Sequence, residues 1–309
     1  MIKWRKEKLI FSAHGQFGWM NSHAQVPTVL KHGNVLRIFF STRSIPTESK
    51  TAFIDVSPSN PSEILYVHDS PVLRNGPVGT FDEHGIMPSC ARQGTDGSYS
   101  LYYSGWSRRA SVPYSNLTGL ASSFNGTEFE KVSLGPILTT NCSDPYSATS
   151  PFVILEGGKF FMFYCSGVGW VKSSDHYEHV YDVKLATSQD GVSWRQSGHI
   201  CIPQNDEREA ITRPTVLKFK NKFHMWFCYR GSDDFRDGGD AYRIGYAVSD
   251  NLYDWKRQDE LAGISPSQTG WDSKMIAYPY VIKTEFDTYL FYNGNGFGQS
   301  GFGYAVLEE

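Results

Sequence analysis

HAQVPTVL, residues 23–30, is the first of five stretches built alike around a proline. The others are GIMPSCA at 85–91, ATSPFVI at 148–154, ITRPTVL at 211–217 and IAYPYVI at 276–282. Their prolines, Pro27, Pro88, Pro151, Pro214 and Pro279, stand 61, 63, 63 and 65 residues apart. After each comes an apolar run, a polar turn and an aromatic-rich run: LRIFFSTRS, SLYYSGW, FFMFYCSG, HMWFCYRG and TYLFYNGNG. A third run follows in most units, as in GLASSFNGTEF, KLATSQDGVSW, IGYAVSDNLYDW and GFGYAVLEE. Self-similarity at such a period marks a repeat architecture. Runs of β-branched and aromatic residues between Gly, Asn, Asp and Ser turns predict three or four short strands per unit. Four-stranded units arranged radially make a β-propeller. The chain therefore reads as all-β, a five-bladed β-propeller of four-stranded antiparallel blades, in one domain over residues 1–309. The blades fall roughly at 23–75, 84–138, 147–203, 210–264 and 275–309, the last completed by 4–13.

That completion follows from the need to avoid two open strand edges. Fourth strands read as WRQSGHICIP at 194–203 and WKRQDELAGI at 255–264, whereas GFGYAVLEE leaves no room for one. WRKEKLIFSA at 4–13 has the same Trp-basic start and apolar end. The N-terminal strand is expected to close the last blade.

Composition narrows the partners. A net charge of −3 offers no basic stripe for nucleic acid. No apolar stretch approaches a membrane span, and the LIF of the N-terminal segment is too short for the core of a secretion signal. Five cysteines, Cys90, Cys142, Cys165, Cys201 and Cys228, form an odd set without metal-type spacing. Several sit in strand patterns, where free Cys behaves as a small hydrophobe. Reduced thiols and a cytoplasmic location are the expectation, with no cofactor and no metal, since His23 and His84 lack clustered partners.

In a propeller, the turn leading into the first strand and the turn leaving the second open on one face. Five such pairs ring a funnel. Asp82 or Glu83, Asp144 and Asp272 stand five to seven positions before their prolines, and Glu209 stands five before its own. Carboxylates converging in a cleft push one another's pKa values apart, which suits acid and base work, so these five are the candidate catalytic residues. Sixteen positions after the prolines lie Arg43, Ser104, Gly167, Arg230 and Asn295. Arg43 and Arg230, with Arg213 before Pro214, could fork onto a carboxylate or phosphate. His23, His84, Trp106, Trp170, Asn293 and Asn295 complete the candidate binding residues, the tryptophans as stacking surfaces for sugar rings. GNGFG at 294–298 precedes no helix and fails as a dinucleotide loop.

The five Pro-ending segments, the DG-x-x-W turn at Asp190–Trp194 and the acids in the leading turns resemble the five-bladed glycosidase superfamily of glycoside hydrolase families 32, 43, 62, 68, 117 and 130. The resemblance spans essentially the whole chain. MNSHAQVPT, GTFDEHGIMPS, DPYSATSP and GWDSKMIAYPY also resemble a bacterial glycosylase subgroup often encoded among surface-polysaccharide genes. It implies an enzyme that cleaves or transfers a glycosidic bond, on an acidic sugar or with phosphate. Families 32 and 43 use a blade-one Asp, a blade-two Asp and a blade-three Glu. Asp82 or Glu83 matches the second and Asp144 lies in the turn of the third, but the first blade offers GWMNSHAQV with no carboxylate. Family 130 implies one carboxylic acid and a basic cluster, to which Arg43, Arg213 and Arg230 would correspond. Three functions remain open: glycoside hydrolysis, phosphorolysis or glycosyl transfer from a sugar nucleotide, and sugar binding without catalysis.

Overall fold

The computed structural model describes residues 2–44, 48–174, 176–236 and 238–308, and its regular secondary structure is nearly all strand. Strand β1 spans Trp4–Phe11. Unit 1 follows with β2 (Ser22–His32), β3 (Val35–Ser44), β4 (Glu48–Val56) and β5 (Ile64–Val67). Unit 2 holds β6 (Gly85–Gln93), β7 (Tyr99–Arg108), β8 (Tyr114–Ser123) and β9 (Glu130–Lys131). Unit 3 holds β10 (Ser147–Glu156), β11 (Lys159–Ser173), β12 (His176–Ser188) and β13 (Arg195–Ile202). Unit 4 holds β14 (Ala210–Phe219), β15 (Lys222–Arg230), β16 (Arg243–Ser249) and β17 (Lys256–Arg257). Unit 5 holds β18 (Ala277–Lys283), β19 (Thr288–Asn293) and β20 (Phe302–Leu307), and β1 lies antiparallel to β20 as its fourth strand. The fourth strand expected over WKRQDELAGI is cut to two residues, because Asp259–Leu261 turns into a short 3-10 helix.

The repeated proline has a physical role. In every unit the register between first and second strands slips at that point, between Gln25 and Thr28, Pro88 and Cys90, Thr149 and Phe152, Thr212 and Thr215, and Ala277 and Tyr280. A bulge interrupts the ladder, and proline, which has no N–H to give, is tolerated there. In four units the residue before the proline adopts positive φ: Val26, Ser150, Arg213 and Tyr278. Its N–H is taken up by a second-strand side chain of the preceding unit. Ser150 donates to Ser104 Oγ at 2.9 Å, Arg213 to Cys165 Sγ at 3.3 Å and Tyr278 to Cys228 Sγ at 3.4 Å. Val26 of unit 1 donates to Asn293 Oδ1 of unit 5 at 2.7 Å. The step from unit 1 to unit 2 differs: the slip falls one residue later, Met87 keeps ordinary φ, and the hydroxyl of Ser41 finds no partner.

Successive units also touch where a third strand begins beside the next first strand, as in Ser49 with Gly85, Leu117 with Ala148, and Tyr181 with Ala210. Between the sheets lies an aromatic core that includes Phe40, Phe163, Phe227, Phe291 and Phe302. Strand β1 packs against both neighbouring units, through this core on one side and a second cluster on the other. Phe11 packs on Phe40 of unit 1 with ring centres 5.1 Å apart, and Trp4 meets Trp226 of unit 4 edge-on at 5.4 Å. All five cysteines are free, and Cys142 alone of them is exposed. Among the described residues no helix is long and apolar enough to cross a membrane.

Candidate active site

The four turn carboxylates do not meet. Each is buried inside its own unit, at 1% exposure for Asp82, 0% for Asp144, 6% for Glu209 and 2% for Asp272. Each is held by a cation near or on the fourth strand. Lys131 reaches Asp82 at 2.5 Å, Arg257 grips Glu209 with two bonds of 2.7 and 2.9 Å, and Lys6 of β1 reaches Asp272 at 2.6 Å. Asp144 faces Lys184 of the third strand at 3.4 Å and accepts from Gln196 of the fourth at 2.8 Å. A second-strand tyrosine donates to three of them: Tyr103 to Asp82 at 3.0 Å, Tyr164 to Asp144 at 3.0 Å and Tyr292 to Asp272 at 2.9 Å. Burial is the first cause that pushes all three phenols well above the usual tyrosine range, and the adjacent carboxylate adds to it. In unit 4 a phenylalanine, Phe227, stands one strand position from Cys228 as Tyr164 does from Cys165, and the Arg257 guanidinium lies 5.3 Å from its ring centre. These are structural clasps that tie each leading turn to its sheet. Glu83 accepts from the Gly79 N–H at 2.8 Å and borders a separate recess with Arg108 and Arg109.

The units do converge on a cavity of about 400 Å³, to which all five contribute. Among its described lining residues Glu48 is the one carboxylate, and Arg43 and Arg213 are the two guanidinium groups. Glu48 opens β4, its side chain is 43% exposed, and Lys50 stands 3.7 Å away. Arg43 ends β3, half-buried, and among the described residues its guanidinium has no hydrogen bond or ion pair. Burial lowers its pKa, partly offset by Tyr278. Arg213 lies deeper. Its guanidinium crosses to the first strands of units 1 and 2, donating to Pro88 O at 2.9 Å, Val26 O at 3.2 Å and Thr28 Oγ1 at 2.6 Å. Burial pulls its pKa down to about 10, which leaves it a cation at neutral pH. Trp106 lines the wall and donates to Ser49 Oγ at 2.7 Å, and the hydroxyls of Tyr114 and Tyr181 meet at 2.9 Å.

Other expected binding residues lie elsewhere. Arg230 is buried behind Tyr242, donating to Gly231 O, Ser232 and His179 O at 3.0 Å, with its guanidinium 3.8 Å from the Phe235 ring. Trp170 stacks on His179 at 4.0 Å, and His84 stacks on Trp106 at 5.7 Å. Asn293 is consumed in joining units 5 and 1, donating also to Ala24 O at 2.6 Å, and Asn295 accepts from the Lys274 N–H at 2.8 Å. His23 sits beside Ser22, and burial, helped by the Arg43 charge, lowers its pKa to about 4. Among the described residues no three His, Cys, Asp or Glu side chains are grouped to hold a metal ion.

A constant offset of sixteen also misaligns unit 2. Its first hairpin is two residues longer, so Trp106, not Ser104, shares the strand position of Arg43: they pair with Asn116 and Ser49 respectively. Of the lining residues missed, Glu48, Ser49, Tyr114, Asn116 and Tyr181 come from third strands, four of them at or near the strand start, and others, Val26 and Met87 among them, come from the bulges of first strands. A third strand runs parallel to the first, so its beginning opens on the same face. That alternation was available from the strand pattern alone.

His179 makes one pH effect measurable. It is almost fully buried, neither ring nitrogen has a hydrogen-bond partner among the described residues, and burial pulls its pKa down to about 3. The unfolded chain takes up this proton near pH 6.5, so between pH 6.5 and 3 it binds more protons than the fold, and stability drops as pH falls. At pH 5 the loss from this residue is about 2 kcal/mol. Thermal melts of the parent and His179→Phe at pH 7.5 and 5 should show the parent losing more, and equal losses would refute it.

No family model matches the chain. Two proteins of Mycobacterium tuberculosis are each 35% identical to it over 311 residues, covering 100% of both partners: uncharacterized protein MT1551 of strain CDC 1551 / Oshkosh and uncharacterized protein Rv1502 of strain ATCC 25618 / H37Rv. The chain belongs to their family. Among solved structures, that of BT0996 in an RGII complex superposes with a TM-score of 0.75 at 18% identity, covering 100% of this protein and 92% of that one. A thermostable family-43 glycoside hydrolase gives 0.68 at 16% identity, covering 95% and 90%. A structure from work on the GH130 family of mannoside phosphorylases, described as containing glycoside hydrolases that target β-1,2 mannosidic linkages in Candida mannan, gives 0.70 at 14% identity, covering 99% and 93%. The chain shares its fold with these solved structures.

Proposed function

We propose that the five units are the blades of a closed five-bladed β-propeller, and that its central cavity cleaves or transfers a glycosidic bond with the help of an anion. The observation that carries this reading is the charge pattern of the cavity: among the described residues it has one carboxylate, Glu48, and a guanidinium, Arg43, without a hydrogen bond or ion pair, near the adjoining ends of β4 and β3. Hydrolysis by the common route needs two carboxylates about the scissile bond. A cavity with one acid and a free cation suits phosphate as the attacking group. A phosphate oxygen bonds to the anomeric carbon, and the bond from that carbon to the leaving oxygen breaks. The leaving oxygen keeps the electron pair and takes the proton from Glu48. Arg43 holds the phosphate through charge-assisted bonds, while Trp106 and the tyrosines give flat surfaces for the sugar. The GH130 neighbour, described with mannoside phosphorylases, is consistent with this chemistry.

Release of the aryl alcohol from a panel of aryl glycosides, with and without inorganic phosphate, tests it. The expected result is phosphate-dependent turnover yielding a sugar 1-phosphate, with Arg43→Met raising the KM for phosphate at least about tenfold. Equal rates without phosphate would refute phosphorolysis. Saturable sugar binding with no turnover would favour a binding propeller, a reading supported by the clasped state of the four turn carboxylates.

A further inference from the structure

The residue before each proline is where the first strand departs from regular geometry, and the departure has a direction. Val26, Met87, Ser150, Arg213 and Tyr278, one from each unit, all line the cavity. A bulge re-aims a side chain, and here it does so five times toward one space. Four of the five hold positive φ, among them Val26 at +54°. For a β-branched residue that is a genuine outlier, made harder by the following proline, which disfavours helical conformations. Asparagine or glycine would take the same backbone with less strain.

Val26 is not kept there by the core. It is buried, yet neither it nor Met87 belongs to any hydrophobic cluster of the described residues. The Val26 and Pro88 carbonyls both accept from the Arg213 guanidinium, at 3.2 and 2.9 Å, which places Val26 and Met87 around one cation at the cavity floor. Persistent strain at a cavity wall points to what the cavity holds. We propose that Val26 and Met87 form an apolar facet that recognises a methyl-sized substituent of the bound sugar, the methyl of a 6-deoxy sugar or of an N-acetyl group. This rests on reading the cavity as a carbohydrate site, and it adds the substrate class: a sugar with an apolar substituent on the side facing that floor.

Calorimetric titration with matched pairs tests it: D-fucose against D-galactose, L-rhamnose against L-mannose, and N-acetyl-D-glucosamine against N-formyl-D-glucosamine. In the parent, the methyl-bearing member of at least one pair should bind about tenfold more tightly, the scale of one methylene in a fitted apolar pocket. Val26→Asn should collapse that ratio towards unity while raising Tm, since the strain is relieved. Met87→Gln, at ordinary φ, should collapse the ratio without the rise in Tm and serves if the first variant fails to fold. Absence of preference in every pair, including absence of binding, overturns the proposal, as does a preference that survives both substitutions. Titration of the parent with inorganic phosphate runs alongside. A methyl preference without phosphate binding would leave the facet standing and remove the anion reading alone.

Discussion

Removal of residues 1–13 is expected to abolish the cooperative thermal transition. Strand β1 pairs along its length with β20, from Trp4 opposite Leu307 to Phe11 opposite Phe302. It buries Trp4, Ile10 and Phe11. At roughly 1.5–3 kcal/mol for each large apolar side chain, these three contribute about 4.5–9 kcal/mol, comparable with the whole stability of a typical domain at about 5–15 kcal/mol. Two further losses add to this. Lys6 leaves, so the buried Asp272 loses its cationic partner and keeps the Tyr292 hydroxyl as a donor. The free edge of β20 then offers an unpaired ladder to another chain. Scanning calorimetry and light scattering check the outcome: no sharp transition, and aggregation at micromolar concentration. A truncated protein that melts like the parent would show that β1 is an accessory.

A second large effect separates chemistry from architecture. Glu48→Gln keeps the shape of the side chain and removes its proton, so turnover should fall by about two to four orders of magnitude. Its melting temperature should stay at the parental value, because the side chain is partly exposed and Lys50 lies at 3.7 Å. Asp144→Asn should do the reverse. It leaves the Lys184 ammonium buried beside a neutral amide, and stripping one partner from a buried pair costs about 3–5 kcal/mol. Asp82, Glu209 and Asp272 are held the same way and should follow Asp144. Measured together by urea denaturation and steady-state kinetics, the two variants should fall on opposite axes. A stable Asp144→Asn protein without turnover, beside a fully active Glu48→Gln protein, would return the catalytic role to the turn carboxylates.

The pairing of the turn acids is not legible in the chain, for an understandable reason. An Asp at a fixed distance before each proline looks the same on paper whether it faces a funnel or a lysine. Its partners, Lys131, Lys184, Arg257 and Lys6, lie 49, 40, 48 and 266 residues away. Only the tertiary contacts decide between a free carboxylate and a clasped one. Arg230 carries the same lesson, since its strand position matches that of Arg43 while the packing of Phe235 and Tyr242 turns it away from the cavity.

The sequence by itself determined the strand content, the fivefold repetition and the pairing of the N-terminal strand with the last unit. Those follow from local patterns: runs of β-branched and aromatic residues, turn residues, and a proline that marks a bulge in every first strand. It also carried Arg43, Trp106 and Arg213, because strand ends and bulge residues have fixed directions. What only the tertiary structure decided is which polar side chains remain free. That depends on partners brought together from distant strands and on loop lengths that shift a register by two residues. Glu48 came to line the cavity because β4 begins there, beside the end of β3, while the turn acids were drawn into buried pairs inside their own units.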